Sequence, residues 1–269
     1  MKNRDTRLAA IVLAALATTP GYANPLELVQ NGGFEINGGA GQLATGISYA
    51  TGWTSALNGG QPGFNFIVNP ATADAHVTGS TDGGFKSIFT DTANPVTNIF
   101  LWGPGNDSPN NNGLGFSPDR GYVLGGDGDY LAAAVSQAIN GLTVGHTYGL
   151  SFNWAQSQFT DGTTATTSGW GVTFGSDTVS TGTPSLSAKG FSGWNTYTHT
   201  FTATATSETL AFLATGTPTG QPPFALLDGV SLRDSTQPPS DVPEPASLAL
   251  LVPGLAGLAV IRRRRKQQP

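Results

Sequence analysis

Residues that could perform catalysis are few and widely spaced in this chain. The only histidines are His76, His146 and His199. No His-Glu-x-x-His motif occurs, no serine lies in a Gly-x-Ser-x-Gly elbow, and no Gly-x-Gly-x-x-Gly loop follows an apolar strand. The chain has no cysteine, which excludes a thiolate nucleophile and a thiolate metal site. The sequence therefore predicts neither hydrolase nor nucleotide chemistry of these kinds.

Carboxylates are the remaining candidates for catalysis. A glycosidase needs two of them on opposite sides of the scissile sugar bond. Residues 24–241 contain 15 acidic residues, so some pair could always be arranged, but no spacing singles one out. Asp127-Gly128-Asp129 could bind a cation, although Asp-Gly between two strands first indicates a hairpin turn. We therefore predict that the protein is not an enzyme, with a glycan-active enzyme as a distant alternative.

Aromatic side chains could present flat faces to sugar rings. Trp154 and Trp194 lie in alternating segments, where packing in the core is the more frequent role. Trp102 lies beside a long loop, and Trp170 follows the polar stretch 160–169. Trp102 and Trp170 are thus the better candidates for exposed, ligand-binding rings, and burial is the alternative for both.

Strands must position these side chains. The chain has 37 glycines and 18 prolines and is poor in the residues that build long helices. Short segments alternate apolar and polar residues between turn signals, at 26–29, 64–68, 85–89, 130–139, 147–154, 171–174, 197–204, 209–213 and 224–232. This pattern predicts an all-β domain of about nine or ten strands, folded as a two-sheet β-sandwich of the jelly-roll form. Residues 103–118 form a long loop, which we expect over one end of the sandwich near Trp102.

Both chain ends have the features of targeting segments. Residues 1–23 combine a basic start, an apolar run and a small-x-small site ending at Ala23, which predicts a signal peptide and a mature chain from Asn24. Residues 24–234 would form the β-sandwich domain, and 235–241 a polar linker. In the tail, 242–269, the 16 uncharged residues Ala246–Ile261 would span about 24 Å as a helix. That is short of a hydrocarbon core of about 30 Å, so we expect a temporary membrane hold.

Charge separates the exported part from the two targeting segments. Residues 24–241 contain four basic and 15 acidic residues, a net charge of −11. Phosphate binding needs a basic surface, so a nucleic-acid partner is excluded. An acidic, polar surface suits a secreted protein that binds neutral sugars or Ca²⁺.

The tail has three parts in a fixed order: a Pro-Glu-Pro cluster, an apolar run and a basic end. The residues are Val242, Pro243, Glu244 and Pro245, the apolar run, and Arg262, Arg263, Arg264 and Arg265. In these residues the tail resembles a known sorting signal, the PEP-CTERM motif of Gram-negative bacteria. The resemblance implies export, a transient hold in the inner membrane, and processing near Pro-Glu-Pro by a membrane-embedded exosortase. It also implies a final place at the cell surface or in an extracellular matrix rich in polysaccharide.

Five segments of the body form a recurring arrangement: Asn31–Glu35, 137–145, 148–152, 194–205 and Leu227–Leu232. In these segments the chain resembles galactose-binding-like jelly rolls. In that group the first and last strands are neighbours, and a structural Ca²⁺ is often bound there, which here implies Glu35 and Asp228 as ligands. Gly229 stands where a second carboxylate is often found, and the alternative is that these carboxylates bond to backbone amides. No other cofactor is implied.

The function predicted from the sequence is that of a non-catalytic exported surface or matrix protein associated with extracellular polysaccharide. The alternative is a structural envelope protein with no specific ligand.

Overall fold

The computed structural model describes residues 21–23, 25–43, 48–71, 73, 99, 101–104, 114–159, 164–236 and 240–242. These ranges contain β-strands, turns and loops but no helix, which confirms the all-β prediction for this part of the chain. None of the described segments is a helix long and apolar enough to cross a membrane. Most of the predicted signal peptide, the predicted strand at 85–89 and the tail from residue 243 lie outside the described residues.

Sixteen strands are present in the described ranges. They are β1 (Gly21–Ala23), β2 (Gly41–Gln42), β3 (Thr54–Ser55), β4 (Leu57–Asn58), β5 (Gln61–Pro62), β6 (Asn65–Val68), β7 (Val123–Asp127), β8 (Val135–Asn140), β9 (Thr147–Gln158), β10 (Thr166–Phe174), β11 (Asp177–Ser180), β12 (Ser185–Leu186), β13 (Asn195–Thr202), β14 (Ser207–Thr217), β15 (Pro223–Asp234) and β16 (Ser240–Val242).

The chain divides into two compact units. The smaller unit comprises Met1–Pro25 and Gln237–Pro269, and in it β1 pairs antiparallel with β16, with Tyr22 opposite Asp241. The larger unit, Leu26–Thr236, contains two six-stranded sheets and the small β4–β5 hairpin.

The two large sheets are antiparallel. Sheet 1 has the order β11-β10-β14-β8-β3, with β12 also pairing to β10, and sheet 2 has the order β13-β9-β15-β7-β6-β2. The long strands alternate between them, because β8, β10 and β14 lie in sheet 1 while β9, β13 and β15 lie in sheet 2. This alternation is compatible with the predicted jelly roll.

The main core lies between the two sheets. Alternation along β9 turns Leu150, Phe152 and Trp154 inward, where they join residues of sheet 1 such as Trp170 and Phe212. The indole Nε1 of Trp170 donates to the carbonyl oxygen of Leu226 at 3.0 Å, which satisfies the only polar atom of that side chain.

A second core lies on the outer face of sheet 2. Outward positions of β9 and β15 there are apolar, including Ala155, Phe224 and Leu226. They are covered by Leu101, just before the predicted loop 103–118, and by Leu114, inside it. The expected place of this loop over one end of the sandwich is therefore wrong for its described part. The segment lies on a sheet face because apolar outward positions need a cover.

The larger unit is closed by contacts between its two ends. Glu27 bridges to Arg233, the amide of Leu28 donates to Leu232 at 3.0 Å, and the amide of Ser235 donates to Thr147 at 2.8 Å. Both cores lie within Leu26–Thr236. This unit therefore has its own cores and closed termini, as an independently folding domain requires.

Candidate functional site

The two tryptophans predicted to be exposed are buried. Trp170 is 0% exposed, since it points inward from β10, and Trp102 is 4% exposed. The backbone of Trp102 is bonded to the end of β9, because its amide donates to Gln158 and its carbonyl accepts from Ser157 Oγ. The prediction that Trp102 and Trp170 present free faces to a sugar is therefore wrong.

Trp194, which was expected in the core, is the one tryptophan of the five that is only partly buried. Its Nε1 donates to the carbonyl oxygen of Gly115 at 3.1 Å, which fixes the ring beside the covering segment. The next residue of that segment, Phe116, is 52% exposed, and Phe191 nearby is half-buried. These rings form an aromatic edge where the covered part of sheet 2 ends.

Beyond this edge, the outer face of sheet 2 is open and polar. Because Leu150 and Phe152 point into the main core, their neighbours on β9 point outward. Thr196, Thr198 and Thr200 of β13 pair with these outward residues and therefore also point outward. We call this surface the polar strip; it comprises Gly149, Ser151, Asn153, Thr196, Thr198 and Thr200. Thr196 Oγ1 donates to Asn153 Oδ1 at 2.9 Å, which links the two strands across the strip.

A shallow groove of about 540 Å³ lies between β9 and β13 at the end of the strip that contains Gly149 and Thr200. Gly149 has no side chain to fill the groove, and the space above it is open, because an added Cβ would meet only the Arg233 carbonyl oxygen, at 3.9 Å. From Trp194 to Thr200 the outward residues extend along about 20 Å of strand. The groove is lined by Gly149, Leu150, Ser151, Thr198, His199 and Thr200. Three hydroxyls among these residues can bind a polar chain, but the lining contains no carboxylate pair of the kind that a glycosidase needs.

A second constellation lies where the first residues of the domain meet its last strand. Asn31 has a φ of 55°, and its side chain bonds to both the amide and the carbonyl of Ile36 at 3.0 Å. Gly32 lies against Val230, whose amide donates to the Gly32 carbonyl at 3.0 Å. Phe34, with a φ of 56°, is fully buried with its ring centroid 5.4 Å from that of Trp53. The Asn31–Glu35 motif is therefore a structural junction.

This junction gathers three carboxylates. Glu35 Oε1 accepts from the amide of Tyr122 at 2.6 Å, and Asp228 Oδ2 accepts from the hydroxyl of Ser117. Asp119 and Asp228 both approach Gly33, where an added Cβ would lie 2.6 Å from Asp119 Oδ2 and 3.8 Å from Asp228 Oδ1. The sequence predicted Glu35 and Asp228, and the structure places both here. Asp119 and Ser117 were not identified, because they lie in a loop without a strand pattern.

Burial dominates the electrostatics of Asp228. Its side chain is 0% exposed, and desolvation raises its pKa from 3.8 to about 7. The hydroxyl of Ser117 and the nearby amide of Gly229 lower the pKa, whereas the charges of Asp119 and Glu35 raise it. Asp228 Oδ1 has no hydrogen-bond partner within the described ranges. A buried acid with an unused oxygen beside two other carboxylates is suited to hold either a proton or a cation.

The donor set suits a hard cation but is incomplete by itself. Carboxylate and hydroxyl oxygens are the ligands that Ca²⁺ prefers, in sets of six to eight. No three His, Asp or Glu side chains of the described residues converge closely enough to hold a metal ion alone. A cation here would take further oxygens from the backbone or from water. The alternative of carboxylates bonded to amides is realised in part, at Glu35 and Tyr122.

Asp127 and Asp129 perform turn functions. Asp127 Oδ1 accepts from the amides of Asp129 and Tyr130, and Asp129 accepts from the hydroxyl of Thr219 and the amide of Gly220. The turn interpretation agrees with these contacts, although β7 and β8 lie in different sheets and form no hairpin. Burial raises the pKa of Asp127 to about 7, and its Oδ2 has no partner in the described part of the fold.

Several solved structures are similar to this chain at low identity. The enzymatically active domain of tailspike protein 4 from bacteriophage CBA120 is 15% identical, covering 77% of this chain and 21% of that one, with a TM-score of 0.35. The CBM22-1 xylan-binding domain from Paenibacillus barcinonensis Xyn10C is 12% identical, covering 80% and 97%, with a TM-score of 0.36. TmCBM61 in complex with β-1,4-galactotriose is 13% identical, covering 78% and 99%, with a TM-score of 0.33.

The chain spans about a fifth of the length of the tailspike domain. With TM-scores below 0.5, none of these likenesses bears on the activity of the chain. No curated protein sequence is significantly similar to it.

The clearest comparison concerns the tail. Residues 241–266 match the PEP-CTERM protein-sorting motif, which confirms the resemblance identified from Val242–Pro245 and the terminal arginines. Such a motif indicates export, with a place at the cell surface or outside the cell. The chain therefore carries a PEP-CTERM sorting signal, which follows an all-β domain in the sequence.

Proposed function

We propose that the exported domain is a non-catalytic matrix protein that binds extracellular polysaccharide along the polar strip. The observation that carries this proposal is the position of Trp194, the only tryptophan with an accessible face, at one end of the polar strip, whose other end is an open groove. Partly exposed aromatic rings can stack on sugars, while threonine and serine hydroxyls can exchange hydrogen bonds with sugar hydroxyls. The net charge of −11 over residues 24–241 favours a neutral glycan.

Catalysis finds no support at either constellation. A general acid needs a pKa near 7, and burial raises the pKa of Asp228 to about this value. However, Asp228 is fully buried and bonded to Ser117, so a substrate could not reach it. The residues that line the groove include no carboxylate.

The substitution Trp194→Ala should weaken polysaccharide binding by about tenfold or more, because it removes the stacking face at one end of the polar strip. The measurement is affinity electrophoresis of Leu26–Thr236 in gels containing exopolysaccharide purified from the producing bacterium. Tyr49→Ala provides a matched control, since Tyr49 is 60% exposed and lies away from the strip. Equal retardation of both variants and the wild type would contradict the proposal.

We also propose that the junction of Glu35, Asp119 and Asp228 binds one structural Ca²⁺. The support is the unused, buried oxygen of Asp228 among oxygen donors alone. The ion would neutralise carboxylates that otherwise repel one another, and would fasten the first residues of the domain to its last strand. Removing Ca²⁺ with a chelator should then lower the Tm of the domain.

A second candidate function is a structural envelope protein without a specific ligand. One observation favours it: four of the five tryptophans are buried, so most of the large aromatic rings pack inside the domain and are not available to a ligand. Absence of retardation on any glycan, with or without Ca²⁺, would decide for this alternative.

For the tail, we propose processing near Pro245 by an exosortase after a transient stay in the inner membrane. The support is the match of residues 241–266 to the sorting motif. Mass spectrometry of the secreted protein should find no residues after Pro245, and Glu244→Ala should leave an unprocessed precursor in the cells. Secreted protein that still carries Arg262–Pro269 would reject processing.

A further inference from the structure

The edges of the two large sheets differ greatly in length. Within the described part of the chain, sheet 2 begins with β13, which has eight residues, and ends with β2, which has two. The edge strands of sheet 1 are β11, with four residues, and β3, with two. Short edges are one way in which proteins avoid pairing with other chains. Only β13 departs from this pattern.

The other usual protections are also missing from β13. Its sequence, Asn-Thr-Tyr-Thr-His-Thr-Phe-Thr, contains no lysine, no proline and no acidic residue. Its pairing with β9 runs through all eight residues without a bulge. No hydrogen bond between described residues joins the outer backbone groups of β13 to another segment. Within the described ranges, β13 is therefore a long, regular edge whose outward backbone donors and acceptors pair with no other strand.

We propose that the edge of β13 pairs antiparallel with β13 of a second copy of this chain, which joins their two second sheets across a two-fold axis. The sequence of the strand makes it complementary to itself. With His199 opposite His199, Thr198 faces Thr200 and Tyr197 faces Phe201, so threonines meet threonines on the outer face and aromatic rings meet on the inner face. Such like pairs stabilise antiparallel strands. A two-fold interface requires this kind of self-complementarity.

Charge sets the conditions for this association. The strand carries no charged Lys, Arg, Asp or Glu, so no like charges would face each other at the interface. The whole exported part, in contrast, has a net charge of −11, and two copies repel each other at long range. Because salt screens that repulsion, association should strengthen as ionic strength rises.

The double substitution Thr198→Lys with Thr200→Lys tests the proposal. Both threonines are exposed, so the domain should fold, while lysines on both copies would place like charges opposite each other. Sedimentation velocity of Leu26–Thr236 in about 0.5 M NaCl should show a monomer–dimer equilibrium for the wild type. The double variant should dimerise at least about tenfold more weakly. Thr209→Lys is the matched control, because Thr209 is exposed on β14, inside sheet 1.

Hydrogen exchange locates the contact independently of the substitutions. Amides of residues 195–202 should become more protected as the protein concentration rises, and the amides of β11 should not. A wild type that stays monomeric at all concentrations and salt levels would overturn the proposal. So would a dimer that the double variant forms as well as the wild type does, or one that protects another segment instead. Thr198 and Thr200 belong both to this edge and to the polar strip. The two proposals are still tested separately, because the glycan test changes Trp194 and measures retardation by polysaccharide.

Discussion

Gly32→Ala is expected to unfold the domain at physiological temperature. An added Cβ at this position would lie 1.9 Å from the carbonyl oxygen of Val230 and 2.9 Å from its carbonyl carbon. Both are backbone atoms of β15 in the bulge between Asp228 and Ser231, and these two flanking residues pair with Asn153 and Ser151 of β9, which leaves the bulge little room to move. The Val230 amide also donates to the Gly32 carbonyl, and separation of the two segments would break that bond. We expect a loss of at least about 4 kcal/mol, comparable to the whole stability of many domains.

Urea denaturation of Leu26–Thr236, followed by tryptophan fluorescence, measures this loss. Gly149→Ala is the matched control, because Gly149 also lies in a β-rich region but its added Cβ would meet only one atom, at 3.9 Å. That variant should change stability by less than about 1 kcal/mol. If Gly32→Ala unfolds at the same urea concentration as Gly149→Ala, the close contact between the Asn31–Glu35 junction and β15 is wrong.

The all-β class could be predicted from the sequence because it depends on local pattern. Along β9 and β14, inward and outward positions alternate as the apolar and polar residues do. The second core could not be predicted in the same way. Ala155, Phe224 and Leu226 point outward from sheet 2, and only the fold shows that Leu101 and Leu114 cover them.

The exposure of individual tryptophans could not be predicted from the loops beside them or from the polarity of the neighbouring sequence. Trp170 follows a polar stretch, yet it is the largest fully buried side chain among the described residues. It occupies one of the alternate positions of β10 that face the main core, as Val172 and Phe174 do. Trp194 comes just before a strand with clear alternation, yet it lies at the margin of the covering segment and keeps part of its face free. Loop composition does not determine which face of a sheet a ring points to.

The acidic junction was predictable only in part, for a related reason. Glu35 and Asp228 belong to segments that resemble a known arrangement, and the structure brings them together. Asp119 and Ser117 reach the same place from a loop more than 80 residues after Glu35. Their contribution depends on the tertiary path of that loop, which no local pattern contains.

The two buried aspartates should make the stability of the domain fall as pH rises. In the unfolded chain both ionise near pH 3.8, whereas in the folded domain burial raises the pKa of Asp127 and of Asp228 to about 7. The folded state therefore binds more protons between about pH 4 and pH 7, and the free energy of unfolding decreases through this window. Each residue should contribute on the order of 2–4 kcal/mol to that decrease in the absence of divalent cations. Urea midpoints between pH 4 and pH 8, in a chelator, measure it.

Calcium should reverse this trend at one of the two residues only. Binding at the junction requires ionised Asp228, so Ca²⁺ and the proton compete, and stabilisation by Ca²⁺ should grow as pH rises. With free Ca²⁺ about 100-fold above its Kd, the gain is about 2.7 kcal/mol, or a Tm increase of about 5–10 °C. Asp228→Asn should lose the Ca²⁺ response and one part of the pH dependence.

Asp127→Asn is the control for this experiment, because it removes a buried acid of similar pKa that bonds to the amides of its own turn. This variant should lose the other part of the pH dependence and keep the whole Ca²⁺ response. A Tm at pH 8 that neither Ca²⁺ nor a chelator changes would disprove the calcium proposal and leave the pH dependence standing. A pH dependence that survives both substitutions would instead show that the buried carboxyls are not its source. The two variants thus distinguish the effect of proton binding on stability from the effect of Ca²⁺ binding at the junction of Glu35, Asp119 and Asp228.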